Sequence, residues 1–186
     1  MSSRRLRDIG AGNKVPHYVY VIIETPMGSH VLYKYDEDLD LITIEKVLNE
    51  SFEYPFNQGF VPGTSGFNGE PLEAIVFSKG SFAPGTVIEA RPVGAVEIDI
   101  DGEPRSIIIV VPHERVDEYS RDIRDISDLP REFIEKLGSY LERSSNGSRA
   151  RIKRVLGVNE AKEIILGSVR KTLAQRSSSN SSRKNN

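Results

Sequence analysis

The sequence of 186 residues contains no cysteine and no tryptophan. Without cysteine the chain has neither disulfide bonds nor thiolate metal ligands, and this absence fits a cytoplasmic protein. Its longest apolar runs, such as residues 107–111, have the length of a strand and are too short to cross a bilayer, so no membrane partner is expected. Three arginines near the N-terminus are not followed by an apolar segment, so no secretory signal is predicted.

Neither sign of charge is in large excess, because 25 Lys and Arg against 27 Asp and Glu give a formal net charge of −2. This balance does not favour binding to nucleic acid or to an anionic membrane. The 38% hydrophobic and 28% charged residues are typical of a soluble domain with a core. We predict a mobile basic arm at residues 1–15, a single domain at 16–175, and a disordered Ser/Asn-rich tail at 176–186, which has no apolar residue to bury.

Short β-branched segments separated by turn residues predict a mainly β protein. Asp101-Gly102 is typical of a hairpin turn, and the continuous apolar run at residues 107–111 predicts a strand buried on both faces. Many short strands with turns between them favour a closed antiparallel barrel. The apolar period then becomes helical, which predicts two C-terminal helices. The predicted strands are residues 18–24, 31–35, 41–47, 72–77, 86–93, 94–100, 107–111 and 151–155, and the helices follow residues 127–130 and Asn159.

Residues 54–76 are dense in Pro and Gly, and at their centre lies the segment Asn68-Gly69-Glu70-Pro71-Leu72-Glu73. Pro71 fixes the backbone between two carboxylates, so that Glu70 and Glu73 could be presented together at the start of a strand. Oxygen ligands of this kind suit a divalent metal ion. Spacing alone favours the simpler interpretation, which is a polar turn entering a strand.

This segment resembles the soluble, family I inorganic pyrophosphatases, in their short prokaryotic form. Their hallmark is Y-P-x-N-Y-G-F-x-P-x-T followed by D-G-D-P-x-D and an apolar strand, and the resemblance extends over about residues 20–170. It implies an oligonucleotide-binding-like (OB-like) barrel with helices packed outside, Mg²⁺-dependent hydrolysis of pyrophosphate to two phosphates, and a homo-oligomer, commonly a hexamer.

The resemblance also implies a set of site residues, several of which depart from the family pattern. Glu24 matches a family Glu near the active site, Asn68 replaces an Asp, and Gln58 replaces a Tyr. The family's phosphate-binding lysines correspond to Leu32, Ile107 and Ser145, and Lys34 replaces an acid. The positions implied for substrate are Tyr33 and Lys46, and those implied for metal are Glu70, Glu73 and Asp101, with Asp99 as an alternative to Asp101.

Two hypotheses about activity follow from these departures, and the number of replaced residues favours the first. In the first, the metal- and phosphate-binding residues are largely replaced, Mg²⁺ binding is weak or vestigial, and the protein is an impaired or inactive homologue that acts in binding or assembly, including assembly with an active paralogue. In the second, the chain is an active Mg²⁺-dependent diphosphatase with a rearranged ligand set. A nucleic-acid-binding barrel is a third hypothesis, and the net charge and the lack of interleaved basic and aromatic residues argue against it.

Overall fold

The computed structural model describes residues 5–49, 51–144 and 149–183. This part of the chain forms eight strands, two α-helices and four short 3-10 turns, at Leu6–Asp8, Phe67–Gly69, Glu118–Asp122 and Ile126–Asp128. The strands are β1 Val19–Thr25, β2 Val31–Asp36, β3 Leu41–Val47, β4 Asn57–Val61, β5 Leu72–Val76, β6 Val87–Ile100, β7 Glu103–Pro112 and β8 Ala150–Leu156, and the helices are α1 Arg131–Ser144 and α2 Val158–Arg183.

Five strands close into a barrel. The main sheet has the order β1-β4-β5-β7-β6-β8, and a further pairing of β1 with β6 closes the first five of these strands into the barrel. Strands β5 and β7 run parallel, and the other pairs of this sheet are antiparallel. Strands β2 and β3 form a separate hairpin. The predicted fold, a mainly β protein with a closed OB-like barrel and two C-terminal helices, is confirmed.

Alternation of side chains along the strands creates two apolar layers. One cluster draws residues from all five barrel strands, among them Val21, Ala74 and Ile108, and α2 contributes Ala161 and Ile165 to it. A second cluster lies on the outer face, where Ile107 and Ile109 pack with Phe133 and Leu137 of α1. The run at residues 107–111 is therefore buried on both faces, as its continuous apolar sequence predicts.

Two backbone features fix the course of the chain. At Gly59, a Cβ atom would lie 1.9 Å from the backbone oxygen of Ile22, so only glycine allows β4 to approach β1 this closely. At the hairpin between β6 and β7, Asp101 and Gly102 have φ angles of 53° and 89°. Positive φ at both central residues is the geometry of the tight hairpin turn that Asp-Gly favours.

The structure describes part of each end of the chain. The sequence predicts a mobile arm at residues 1–15, whereas in the structure Leu6 and Ile9 pack against the barrel and the Tyr20 N–H donates to the Ala11 carbonyl at 2.9 Å. Helix α2 extends to Arg183 and so includes part of the tail that is predicted to be disordered. Mobility of the arm and disorder of the tail stay predictions. No helix among the described residues is long and apolar enough to cross a membrane.

Candidate functional site

A cavity of about 960 Å³ lies on the outer face of the barrel, between the β2–β3 hairpin and α1. Val21 and Ile23 of β1, and Leu72 and Ala74 of β5, belong to the inner cluster. Because side chains alternate along a strand, Glu24 and Glu73 therefore lie on the outward face. Glu73 is paired across the sheet with Ile107, which also lines the cavity.

Two carboxyl groups in this cavity have raised pKa values. Glu24 is only 9% exposed, and its Oε1 accepts a hydrogen bond of 2.7 Å from the Tyr35 N–H. Burial raises the pKa of Glu24 to about 7, since it disfavours the charged form. Burial also raises the pKa of Glu73, while the positive charges of Arg105 and Lys34 act in the opposite direction. The Glu73 carboxylate accepts a hydrogen bond of 2.5 Å from Gln58 Nε2.

Three cationic side chains line the same cavity: Lys34, Lys46 and Arg105. The Lys34 ammonium lies 4.0 Å from Glu70 Oε1. The Arg105 guanidinium lies 4.7 Å from the centre of the Phe67 ring, and its Nη2 is 3.7 Å from a carboxylate oxygen of Glu103. Positive and negative groups are thus interleaved across the opening of the cavity.

Aromatic and aliphatic side chains complete the cavity wall. The buried ring of Tyr54 packs edge-on against Tyr140 of α1 at 5.0 Å between ring centres. Burial raises the pKa of Tyr54 well above its usual value, so this hydroxyl stays neutral. The aliphatic side chains of the wall include Leu32, Ile98, Ile100, Ile107 and Leu141.

Five of the residues that the sequence implies for the site line the cavity: Glu24, Tyr33, Lys46, Glu70 and Glu73. Asp101 and Asn68 are not among the lining residues. Asn68 is exposed in the turn before β5, with φ of 51°, a left-handed conformation that Asn tolerates better than most residues.

Asp101 lies in the β6–β7 hairpin turn, where its Oδ1 accepts a hydrogen bond of 2.8 Å from the Arg149 N–H. Its alternative, Asp99, lies 3.7 Å from the Lys153 ammonium. Along β6 the lining positions belong to Ile98 and Ile100, and alternation excludes Asp99 between them. The structure therefore does not bring either aspartate to Glu70 and Glu73.

The carboxyl groups of the described residues do not meet the needs of Mg²⁺. This ion demands nearly octahedral oxygen coordination, which in an all-protein site requires several converging carboxylates. Across residues 5–49, 51–144 and 149–183, no group of three acidic, His or Cys side chains is arranged to hold a metal ion. The carboxyl groups that would have to supply the ligands already have cationic neighbours: Lys34 lies 4.0 Å from Glu70, and the charges of Arg105 and Lys34 oppose the rise in the pKa of Glu73. The residues present do not fit a cluster of divalent ions.

Phosphate-binding roles for Lys34 and Arg105 were not predicted from the sequence, although the resemblance aligns Lys34, and either Arg105 or Ser106, with acidic residues of the family. Lys34 and Arg105 each stand two residues from a position where the resemblance implies a lysine, namely Leu32 on β2 and Ile107 on β7. On β7, the two-residue repeat of side chains along a strand could have indicated that Arg105 lies on the same face as Ile107. On β2 the register is irregular between Leu32 and Tyr33, so the same repeat does not apply to Lys34. Ser145, the third such position, lies outside the described residues.

Comparisons with known proteins agree with this architecture. The family described as "Pyrophosphatase: Inorganic pyrophosphatase" matches residues 21–172. The inorganic pyrophosphatase of Saccharolobus solfataricus is 42% identical over 135 residues, covering 72% of this chain and 78% of the relative. That of Aeropyrum pernix is 34% identical over 160 residues, covering 84% of this chain and 91% of the relative.

Solved structures show the same fold. The crystal structure of inorganic pyrophosphatase from Thermus thermophilus superposes with a TM-score of 0.83 at 28% identity, covering 90% of this chain and 98% of that chain. One from Anaplasma phagocytophilum, described as an inorganic phosphatase, has a TM-score of 0.82 at 29% identity, covering 89% and 99%. The family match over most of the chain, the identity to its relatives and the shared barrel lead to one conclusion: this chain belongs to the soluble, family I inorganic pyrophosphatases of the short prokaryotic type.

Proposed function

We propose that this chain is an inorganic diphosphatase that binds pyrophosphate in the cavity and hydrolyses it slowly, with a rearranged set of ligands. The observation that carries the proposal is the convergence of Lys34, Lys46 and Arg105 on one cavity in a fold whose named relatives are inorganic pyrophosphatases. The family match and these relatives favour the second of the two sequence hypotheses, the active diphosphatase, over the inactive homologue.

The three cations would bind the phosphate oxygens. Arg105 presents a planar fork of donors that suits two oxygens of one phosphate, and Lys34 and Lys46 act as point charges. In hydrolysis, a water oxygen bonds to one phosphorus, the bridging P–O bond breaks, and the leaving phosphate keeps the bridging oxygen. Cations that already surround the leaving phosphate stabilise the negative charge that develops on it.

Glu24 is the residue best placed to take the proton of the attacking water. It lines the cavity on the same outward face as Glu73. A general base works best when its pKa lies near the working pH, and burial raises the pKa of Glu24 to about 7. The hydrogen bond from the Tyr35 N–H fixes the direction of this carboxyl group.

The expected rate is far below that of a relative with a complete carboxylate set. The described part of the chain holds no cluster of three acidic residues for metal ions, and Leu32 and Ile107 place apolar groups where the resemblance implies lysines. Loss of one charge-stabilising donor typically lowers kcat by roughly 100- to 1,000-fold.

Phosphate release from pyrophosphate tests the proposal. The expected result is a slow release of two phosphates per pyrophosphate that falls at least about 10-fold in Glu24→Gln, because that substitution removes the base. The matched control is Glu132→Gln, an exposed carboxyl at the start of α1 that does not line the cavity. Equal rates in wild type and Glu24→Gln would remove Glu24 from the mechanism.

A non-catalytic binding homologue is the second candidate function. The specific observation in its favour is the same interleaving of Lys34 and Arg105 with the carboxyls, which leaves the described donors unsuited to metal ions. Under this hypothesis pyrophosphate binds but no phosphate is released. Binding and hydrolysis measured on one preparation separate the two candidates.

We also propose that the chain forms a homo-oligomer, without a membrane partner. The β2–β3 hairpin and its turn expose four large apolar side chains, Leu39, Leu41, Ile44 and Val47, and exposed apolar groups on one element support an interaction surface there. Sedimentation at micromolar concentration is expected to show an assembly of several copies. A monomer would refute this part of the proposal.

A further inference from the structure

The carboxylates at the centre of the cavity already have positive partners within the chain. Lys34 lies 4.0 Å from Glu70, and the positive charges of Arg105 and Lys34 both favour the ionised form of Glu73. The positive charge of Lys34 also favours the ionised form of Glu24, against the larger effect of burial. A divalent ion placed among these carboxyl groups would therefore meet two fixed positive charges, which repel it.

Arg105 retains capacity to bind an anion. Among the residues that the structure describes, Arg105 forms one ion pair, from Nη2 to Glu103 at 3.7 Å, which is longer than a hydrogen bond. Its Nε is buried and has no hydrogen-bond partner among the described residues. The Phe67 ring lies 4.7 Å from the guanidinium, a cation–π contact that helps to hold this group at the cavity.

We propose that the cavity binds pyrophosphate as the metal-free anion, with Lys34 and Arg105 supplying the positive charge that bound metal ions would supply in a site built from carboxylates alone. This inference takes its ligand from the proposed function, and it goes further by naming the state of the ligand and the two residues that select it. Guanidinium and ammonium groups bind phosphate oxygens directly, through charge-assisted hydrogen bonds.

Calorimetry with imidodiphosphate, a pyrophosphate analogue whose bridging NH resists hydrolysis, tests this inference. The full chain is titrated once with EDTA present and once with Mg²⁺ in excess. We expect binding in EDTA, and a dissociation constant that rises roughly 10- to 100-fold in Lys34→Gln and in Arg105→Gln, since a hydrogen bond to a charged group is lost in each. Arg131→Gln is the matched control, because Arg131 is exposed on α1 and pairs with Glu135 at 3.3 Å.

The possible outcomes are distinct. Binding in Mg²⁺ but not in EDTA overturns the metal-free inference and leaves the proposed function standing. Absence of binding in both buffers overturns the proposed function as well. If both cavity variants bind the analogue with wild-type affinity, then Lys34 and Arg105 do not bind the anion and the inference is wrong. Should a variant fail to fold, as judged by circular dichroism, the comparison of EDTA with Mg²⁺ on the wild-type chain still decides the question.

Discussion

Replacing Glu24 by Gln should change how the stability of the protein depends on pH. Burial raises the pKa of Glu24 from 4.5 to about 7 in the folded chain. Between these two values the folded state keeps a proton that the unfolded state has lost. Wild-type stability from this group is therefore fully present below the unfolded pKa and is lost as pH rises through about 7.

The size of the effect follows from the pKa difference. Each factor of ten in proton affinity corresponds to about 1.4 kcal/mol, so a change from 4.5 to about 7 corresponds to about 3 kcal/mol. Gln keeps the shape of the side chain and can still accept the hydrogen bond from the Tyr35 N–H. In Glu24→Gln the free energy of unfolding should therefore not show this decrease between pH 4.5 and about 7, and it should otherwise depend on pH as in the wild type.

Urea unfolding at about pH 5 and about pH 8 measures the difference. We expect the wild type to lose about 2 to 3 kcal/mol more than Glu24→Gln over this range. If the two proteins lose the same free energy of unfolding, within about 0.5 kcal/mol, then Glu24 is charged in the folded state at pH 5, and its role as a base near neutral pH loses its support.

Two further predictions concern the scaffold. Gly59→Ala should lower the melting temperature strongly or prevent folding, because its Cβ would lie 1.9 Å from the Ile22 carbonyl oxygen, whereas Gly80→Ala, whose nearest neighbour is at 3.9 Å, should change it little; equal melting temperatures would contradict this. Asp125→Ala should cost about 1 to 2 kcal/mol in urea unfolding, since its carboxylate caps the Ile126–Asp128 turn and accepts a hydrogen bond from the Val158 N–H at the start of α2. Its pKa is lowered mainly by that bond, so this stabilisation should fade as pH falls, and a cost that stays constant into acid would refute the assignment.

The fold was largely predictable because the sequence marks its strands at both ends. Strand β3 has the predicted bounds, since turn residues precede it and a clear alternation runs through it. Strand β4 was not predicted because the Pro- and Gly-rich segment around it is typical of turns. In the structure Gly59 lies within this strand, where its lack of a side chain allows β4 to approach β1. The sequence predicts two strands that meet at residues 93–94, whereas the structure has one strand, β6, with an irregular register between Pro92 and Gly94.

The candidate site was predictable only in part. The motif predicts Glu70 and Glu73 as site residues and both line the cavity, whereas the assignment of Asp101 depended on spacing along a hairpin. Spacing does not reveal that Ile98 and Ile100 occupy the lining positions of β6. The contribution of Arg105 depends on the pairing of β7 with β5, a contact between distant parts of the chain that no local pattern encodes.

Phosphate release by the purified wild-type chain, cleared of host pyrophosphatase, decides whether the cavity hydrolyses pyrophosphate. We expect a measurable but slow conversion of pyrophosphate to two phosphates, which Arg105→Gln lowers by at least about 10-fold and Arg131→Gln leaves unchanged. Release that does not exceed the rate in buffer would contradict the proposed activity and leave a binding protein. Turnover on the order of hundreds per second would contradict the slow, rearranged site.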